Sequence, residues 1–332
     1  MPILASEIKW MKSLTVSDDS SNGGRLSKNE IPDGVKNNIF PDVPQAERTT
    51  GSTRYRKVFI KFANPDNLLA IAPKLFVETN TAAQDMVAIF PGSLTDTQAT
   101  LTGSERLYGA ARLQTAINAG SSVLEVNTEG ASFNLFRNGD LIRISNKATV
   151  DDIAGFEEFA TLAAAPSYSG DLAQLTLTSA LANSFPATNT KVASCYQPGD
   201  LKASTTTPVL TSVAGTFNSA LYPIIVDHIG GITQNWLLTF TSASSFNVTG
   251  DTLGSIGGGS ISVNFTPLNS DFARPFFTLD FHAFGGTFVS GNTLSFTTQP
   301  AAIALWYKRV VPAGAASYSG NQVIIGVDCE SA

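Results

Sequence analysis

The chain has two histidines and two cysteines, and with its carboxylates these residues bound the chemistry it can carry. His228 follows Ile224-Ile225-Val226-Asp227, and His282 stands beside Phe281 and Phe284 with Asp280 just before them. A nucleophilic triad needs a Ser or Cys, a His base and an orienting carboxylate. Asp227 and Asp280 offer the carboxylate, but no Gly-x-Ser-x-Gly turn is present to raise a nucleophile. Neither histidine has a second His or a Cys at ligand spacing, so both read as structural and no metal site is expected. Cys195 and Cys329 make no disulfide framework in a chain of 332 residues. They read as small hydrophobes kept reduced. The run Gly254-Ser-Ile-Gly257-Gly258-Gly259 lacks the Lys-Ser/Thr of a P-loop and the dinucleotide fingerprint. It reads as a hairpin or linker, and no cofactor is expected. Asp18-Asp19 and Asp151-Asp152 lack the alternating oxygen ligands of a calcium loop. Two carboxylates that meet only in space, as in glycoside hydrolysis, are the residual enzymatic reading. The main reading is that the chain is not an enzyme.

Composition favours assembly over catalysis. Hydrophobic residues make up 43%, enough for a sizeable core, while charged residues are only 14%, well below the roughly 25% of an ordinary soluble domain. So sparse a charged surface protects a free monomer poorly and suits a subunit covered by neighbours. Residues 1–74 hold 11 Lys/Arg against 8 Asp/Glu, and the rest holds 10 against 19, giving the net −6. A basic N-terminal region docking on a neighbour's acidic body is one reading; chance clustering of Arg54, Arg56, Lys57 and Lys61 is the other. The acidic balance argues against nucleic acid as the main partner. The start, MPILASEIKW, is not a signal peptide. No apolar run approaches the ~18 residues of a membrane span, so cytoplasmic synthesis without membrane insertion is expected. The Asn247 and Asn264 sequons are then coincidental. Phe outnumbers Tyr and Trp, 21 against 7 and 3. That balance reads as packed core rather than as a dedicated glycan-binding surface, which leans on Trp and Tyr.

The elements that must position these residues are almost all strands. The fold class expected is all-β: several small β-sandwich or β-barrel modules with an extended N-terminal arm. The arm spans residues 1–54. Asn22-Gly23-Gly24, Ile31-Pro32-Asp33-Gly34, Phe40-Pro41 and Val43-Pro44 oppose regular structure. Single apolar anchors (Trp10, Leu14, Leu26, Ile31, Ile39, Phe40, Val43) punctuate it, which a free disordered tail would lack. It reads as an arm laid on its own body or on a neighbouring subunit. Residues 55–103 hold strands at 55–63, 74–78 and 86–90 plus a polar linker; the first alternates as a half-buried strand does. Residues 104–202 form a small barrel or sandwich, with strands at 122–126, 141–144, 158–162, 172–177 and 191–196 and a tight turn at Asn138-Gly139. The stretch 151–165 is the one helix candidate, read as strand plus turn because of Gly155 and Pro166. Residues 203–332 form a C-terminal sandwich with nine charged residues. Its strands are expected at 236–246, 260–265, 276–281 and 294–298. Gly250-Asp251, Gly291-Asn292 and Gly320-Asn321 are its hairpin signals, the first two closing similar hairpins.

Several strings carry a resemblance. Gly23-Gly24-Arg25…Ile31-Pro32…Val35-Lys36-Asn37-Asn38-Ile39-Phe40-Pro41-Asp42-Val43…Ala46-Glu47-Arg48…Gly51-Ser52-Thr53-Arg54-Tyr55-Arg56-Lys57 resembles the N-terminal region of structural tail proteins of long-tailed bacteriophages. Gly103-Ser104-Glu105-Arg106-Leu107-Tyr108-Gly109 and Phe136…Gly139-Asp140-Leu141-Ile142-Arg143-Ile144 are similar to the middle of that family. Trp236-Leu237-Leu238-Thr239-Phe240-Thr241-Ser242 and Pro300-Ala301-Ala302…Trp306…Lys308-Arg309-Val310-Val311-Pro312-Ala313-Gly314 resemble its C-terminal part. The resemblance covers most of the chain and implies a virion component without catalysis. The expected function is a structural component of the tail tip or baseplate. Such a subunit forms a symmetric homo-oligomer with other tail proteins and is located in the virion after synthesis in the host cytoplasm. Its subunit-contact residues would be Trp10, Arg25, Ile31, Asn37, Asn38, Phe40, Val43, Arg48, Tyr55 and Arg56. The alternative is a receptor-binding tail protein whose C-terminal module touches the host surface. A polysaccharide or cell-wall hydrolase is the third reading.

Overall fold

The computed structural model describes residues 2–131, 134–148 and 152–331, and it is all-β, with 46% strand and 5% helix. Its centre is a five-stranded antiparallel sheet in the order Gly23–Glu30, Ile8–Thr15, Ser52–Phe62, Ala302–Val311, Met86–Pro91. The middle strand pairs with Ile8–Thr15 on one side and, over ten residue pairs from Ser52↔Val311 to Lys61↔Ala302, with Ala302–Val311 on the other. The sequence expectation of a half-buried strand at 55–63 is therefore corrected. Residues 56–62 are all buried, because both faces of the sheet are covered. Val58, Ile60, Phe62, Leu305 and Tyr307 face a core closed by a second layer, Ala70–Thr79 paired with Ile324–Ser331. Phe59 and Ala304 face the opposite way and pack with Met11 and Leu26, and Trp306 on that face packs with Phe90 and Leu107. Gly23 is required beside Trp306: its φ is +108°, and a Cβ there would lie 2.8 Å from the indole.

The order of that sheet overturns two expected boundaries. Residues 1–54 are not an extended arm throughout. Ile8–Thr15 and Gly23–Glu30 form a hairpin built into the sheet, since Met11, Leu26 and Trp10 bury more surface against Phe59 and the core than an unpaired arm would. After that hairpin, residues 31–44 keep an irregular course and lead into the short helix Gln45–Thr50. The C-terminal module likewise ends before 332. Residues 302–311 and 324–331 return to the body: the near-continuous apolar run of 302–311 fits a strand buried on both faces, and 324–331, half-buried over most of its length, pairs with Ala70–Thr79 as the covering layer.

Between these halves the chain makes two insertions. The first is one seven-stranded sheet in the order Ser167–Ser169, Leu172–Thr176, Val123–Asn127, Ala110–Leu113, Lys191–Ser194, Leu141–Ser145, Glu157–Thr161. Alternate residues such as Leu124, Val126, Ile142, Ile144, Leu175 and Val192 point into a shared core. The sheet curls until Leu162 and Leu177 meet in an isolated bridge, without becoming a closed barrel. Glu157–Thr161 is a strand, as the Gly155 and Pro166 signals predicted; Asp151 lies outside the described residues.

The second insertion centres on Gln234–Phe240, Ser245–Gly250, Gly254–Ser260 and Thr293–Gln299, with the short Ser204–Thr205 and Val209–Thr211 against the last of these. Trp236, Leu238, Phe240, Phe246, Val248, Leu294 and Phe296 alternate inward onto Phe277 and Phe288. Phe240 and Phe288 stack at 4.0 Å. The expected strand at 236–246 is two strands joined by a turn at 241–244, and the glycine run is itself an edge strand, Gly254–Ser260. The strand expected at 260–265 is absent. At 276–281 Phe277–Thr278 is a short strand and Leu279 bridges to Phe265, followed by the 3-10 turn Phe281–Ala283. Of the three turn signals only the first closes a hairpin; Gly291 and Gly320 have positive φ but join strands that pair elsewhere.

Because the hairpin carries part of both cores, removing residues 1–30 is expected to abolish cooperative unfolding of the body, read by calorimetry. A truncated chain that melts cooperatively at the full-length temperature would refute this placement.

Candidate interaction surface

Residues 31–51 run as a strap from the end of Gly23–Glu30 back to the start of Ser52–Phe62. Pro32, Pro41 and Pro44 deny it ladder hydrogen bonds and keep it irregular until the short helix Gln45–Thr50, which Gly51 ends at φ +80°. Ile31 fixes one end: it is buried, and its N–H donates to the Trp10 carbonyl at 2.7 Å. Ile39 and Phe40 pack with Trp10 against the core. The Phe40 ring lies under the guanidiniums of Arg309 (4.7 Å) and Arg56 (5.7 Å), a cation–π arrangement strengthened by desolvation.

Three arginines hold the strap. Arg309 Nη1 donates to the Pro41 carbonyl at 2.8 Å, while its Nε and Nη2 have no partner among the described residues. Arg56 Nη1 donates to the Ser17 and Tyr55 carbonyls, and Nη2 reaches Asp18 at 2.6 Å. Arg54 pairs with Glu47 and with Asp18, and Ser52 Oγ donates to Glu47 at 2.8 Å. Hydrogen bonds from Arg54 hold Glu47 below the usual carboxylate range. Desolvation pulls Asp18 up, but Arg54 and Arg56 outweigh it and the net shift is downward.

The ten expected contact residues do not form one surface. Trp10, Ile31, Phe40 and Arg56 meet under the strap. Val43 is half-buried in it and Asn37 exposed on it; the Asn38 amide donates to the Pro32 carbonyl at 2.8 Å. The Arg48 carbonyl accepts from the Gly314 N–H at 2.7 Å, tying the short helix to the C-terminal segment. Tyr55 points to the other face and packs edge-on against Phe90. Arg25 leaves the arm and binds Asp251 at 2.7 and 2.9 Å and Gln234 at 3.1 Å in the second insertion. Sequence reasoning missed Arg309, Asp18 and Asp96, whose partners are up to hundreds of residues away.

The charge asymmetry resolves inside the chain. Arg25–Asp251, Lys28–Asp271 and Lys74–Asp328 pair N-terminal cations with the acidic remainder. Arg54, Arg56, Lys57 and Lys61 lie within the fold rather than on an outer docking face. Lys57 donates to the Gly24 and Asp96 carbonyls and pairs with the Asp96 carboxylate, which also accepts from Trp306 Nε1 at 2.8 Å. Lys61 donates to the Ile229 and Gly231 carbonyls and sits 3.9 Å from the centre of the Phe272 ring. It thereby joins the central sheet to the second insertion. Arg274 binds Asp227 at 2.9 Å at the same junction, and the His228 N–H donates to Asn67 at 2.7 Å.

The candidates for chemistry are scattered. His228 is buried, accepts from the Ala203 N–H at 3.2 Å, and is depressed to about 4 by burial and then by Lys202. Cys195 is buried, and its thiol is pushed up to about 12, mainly by burial; burial also raises Cys329. Neither supplies a thiolate at neutral pH. His282 has a polar partner: Asp280 lies 2.8 Å from its Nδ1. Among the described residues no group of three or more His, Cys, Asp or Glu is placed to hold a metal ion, and no helix is long and apolar enough to cross a membrane. Two clefts of about 260 Å³, one beside Arg54 and one beside Lys191, fall below the roughly 300–1,000 Å³ of ligand pockets.

No family model matches the chain, and no curated protein matches it. Among solved structures, the infectious bursal disease virus VP2 subviral particle aligns over 87% of this chain and 80% of that one. The alignment has 10% identity and a TM-score of 0.11, too low to imply a shared fold.

Two outcomes are expected. Phe40→Ala removes the ring between two guanidiniums and is expected to cost about 1–3 kcal/mol, measured by urea unfolding; an unchanged midpoint would show that the strap is not anchored there. Burial lowers Lys61 from 10.5 to about 7, against the opposing pull of Asp227. Between those values the unfolded chain binds more protons, so stability rises as pH increases from 7 to 10. His228, lowered from 6.5 to about 4, acts in the same sense, and its contribution is lost as pH falls through that window. Lys61→Met is expected to be less stable by about 1–3 kcal/mol, because two carbonyls lose their donor, and to flatten the alkaline rise. An unchanged slope of melting temperature between pH 7 and 10 would contradict the burial of this amine.

Proposed function

We propose that this chain is a structural component of a bacteriophage tail, at the tail tip or baseplate, assembling as a symmetric oligomer with other tail proteins. The observation that supports it most is where the longest family-like string falls. Residues 23–57 contain the edge strand, the strap and the start of the central strand. Arg25, Phe40, Arg54 and Arg56 of that string bind other parts of the chain, and Glu47 binds Arg54 within it. These are residues that place a polypeptide segment, and none of them is arranged for turnover. The outer side of the strap, residues 32–37 and 44–46, is exposed, and in this reading a neighbouring subunit or tail protein covers it. The low charge content fits wide, wet interfaces.

A second reading, contact with the host surface through the second insertion, is favoured by one observation, the cluster of the exposed His282 with the half-buried Tyr222 and Phe281.

Immunogold labelling of intact phage particles with antibody against the chain tests the proposal. Label at the distal end of the tail is expected, with the protein present in purified virions by mass spectrometry. Its absence from purified virions, alongside abundant soluble protein in the lysate, would overturn the reading.

A further inference from the structure

Around the turn Phe281–Ala283 three rings pack together at the surface of the second insertion, Tyr222 stacked on His282 and Phe281 tilted against it. The His282 imidazole is 5.5 Å from Tyr222 with planes 22° apart, and 3.8 Å from Phe281 with planes 34° apart. Burial does not explain the stack, since the His282 side chain is 55% exposed. Leu221, next to Tyr222, is 66% exposed. The cluster thus opens to solvent at His282 and Leu221, with Tyr222 and Phe281 half-buried beside them.

Its rim is polar and fixed. Asp280 Oδ1 accepts from the His282 N–H at 2.9 Å and faces His282 Nδ1 at 2.8 Å. Asn264 Oδ1 accepts from the Phe281 N–H at 3.1 Å. Asn218 Oδ1 accepts from the Leu221 N–H at 3.1 Å, and the Asn218 N–H donates to the Ala283 carbonyl at 2.8 Å. Each side chain is thus oriented by one atom. The other atoms (Asp280 Oδ2, Asn264 Nδ2, Asn218 Nδ2, His282 Nε2 and Tyr222 Oη) make no hydrogen bond among the described residues. Oriented donors and acceptors around an aromatic face match a ligand with one apolar face and a rim of hydroxyls.

We propose that this platform binds a sugar ring of a surface polysaccharide, neutral or bearing an amino or N-acetyl group. A pyranose ring presents C–H bonds on one face and hydroxyls around its edge, the complement of this site. Acidic sugars are disfavoured, because Asp280 has no Lys or Arg ion-paired to it among the described residues. A protein partner would use the apolar neighbours but has no need of five polar atoms left without a hydrogen bond beside the rings. The overall balance of Phe over Tyr and Trp is no objection, since the buried Phe residues belong to the core and this stack lies outside it.

The test uses the full-length protein on an array of neutral, N-acetylated and acidic bacterial oligosaccharides. Saturation-transfer NMR then follows, with maltohexaose, chitotetraose and polysialic acid as defined probes. Binding to at least one neutral, amino or N-acetylated oligosaccharide is expected, with saturation on its ring protons. Tyr222→Ala and His282→Ala are expected to weaken it at least about tenfold, while Tyr222→Phe, which keeps the stack, loses less. If Tyr222→Ala fails to fold, the exposed Asn264→Ala takes its place beside His282→Ala. No binding to any neutral, amino or N-acetylated glycan at about 10 mM, binding only to acidic glycans, or binding unaffected by His282→Ala and the second variant would each overturn the proposal. Capture of a tail protein with no glycan bound would assign the platform to a protein partner and overturn it equally.

Discussion

The structure depends on one ladder, the pairing of Ser52–Phe62 with Ala302–Val311. Both strands are buried on both faces, which puts Lys57, Lys61, Arg56 and Arg309 inside the protein. Buried cations are tolerated only when oxygens replace their water. The rest of the architecture supplies those oxygens: Asp96 and Gly24 for Lys57, the Ile229 and Gly231 carbonyls for Lys61, Asp18 and Ser17 for Arg56, and Pro41 for Arg309. The strap, the 92–101 segment and the base of the second insertion are each tied to the sheet through one of these charges. A lattice of polar contacts of this sort fixes geometry more than it adds stability, and it leaves the apolar faces to set the net free energy.

How much of this was legible in the sequence depended on contact range. Most strands were, because alternation is local: Leu124/Val126, Ile142/Ile144 and Leu294/Phe296 mark their inward faces directly. The two-sided burial of 56–62 was not, since lysines and arginines on a strand ordinarily signal solvent, and their carbonyl partners lie as far as 170 residues along the chain. The return of Ala302–Val311 to the N-terminal sheet was hidden for the same reason. The proline-rich strap was read correctly as irregular and anchored, yet its clamp residue Arg309 lies outside it. Of the candidate residues, the burial of His228 and Cys195 followed from their apolar neighbours. The polar rim around His282 did not, because Asn218 and Asn264 are distant in sequence and carry no motif.

The two insertions divide the labour. The curled sheet of 110–194 is bridged to the body at Leu75–Tyr196, Ala70–Leu201 and Ile89–Tyr108 and extends its core. The second insertion meets the body through charge pairs and Lys61, and it carries half of the eighteen large hydrophobics exposed on the described surface. Its Ser/Thr-rich strands pack on a Phe-rich core with very few charges.

The central ladder also orders events in time. The strand Ser52–Phe62 leaves the ribosome roughly 240 residues before the end of its partner, Ala302–Val311. At ordinary elongation rates the wait is roughly 10–50 s. During it, a strand made for burial on both faces has one edge bare. Its two lysines and two arginines, a burden to the finished interior, are charged in that interval, and like-charged edges repel one another. The cations that the native fold must neutralise are thus also gatekeepers, keeping nascent chains on neighbouring ribosomes from pairing with each other before their own C-terminal strand arrives.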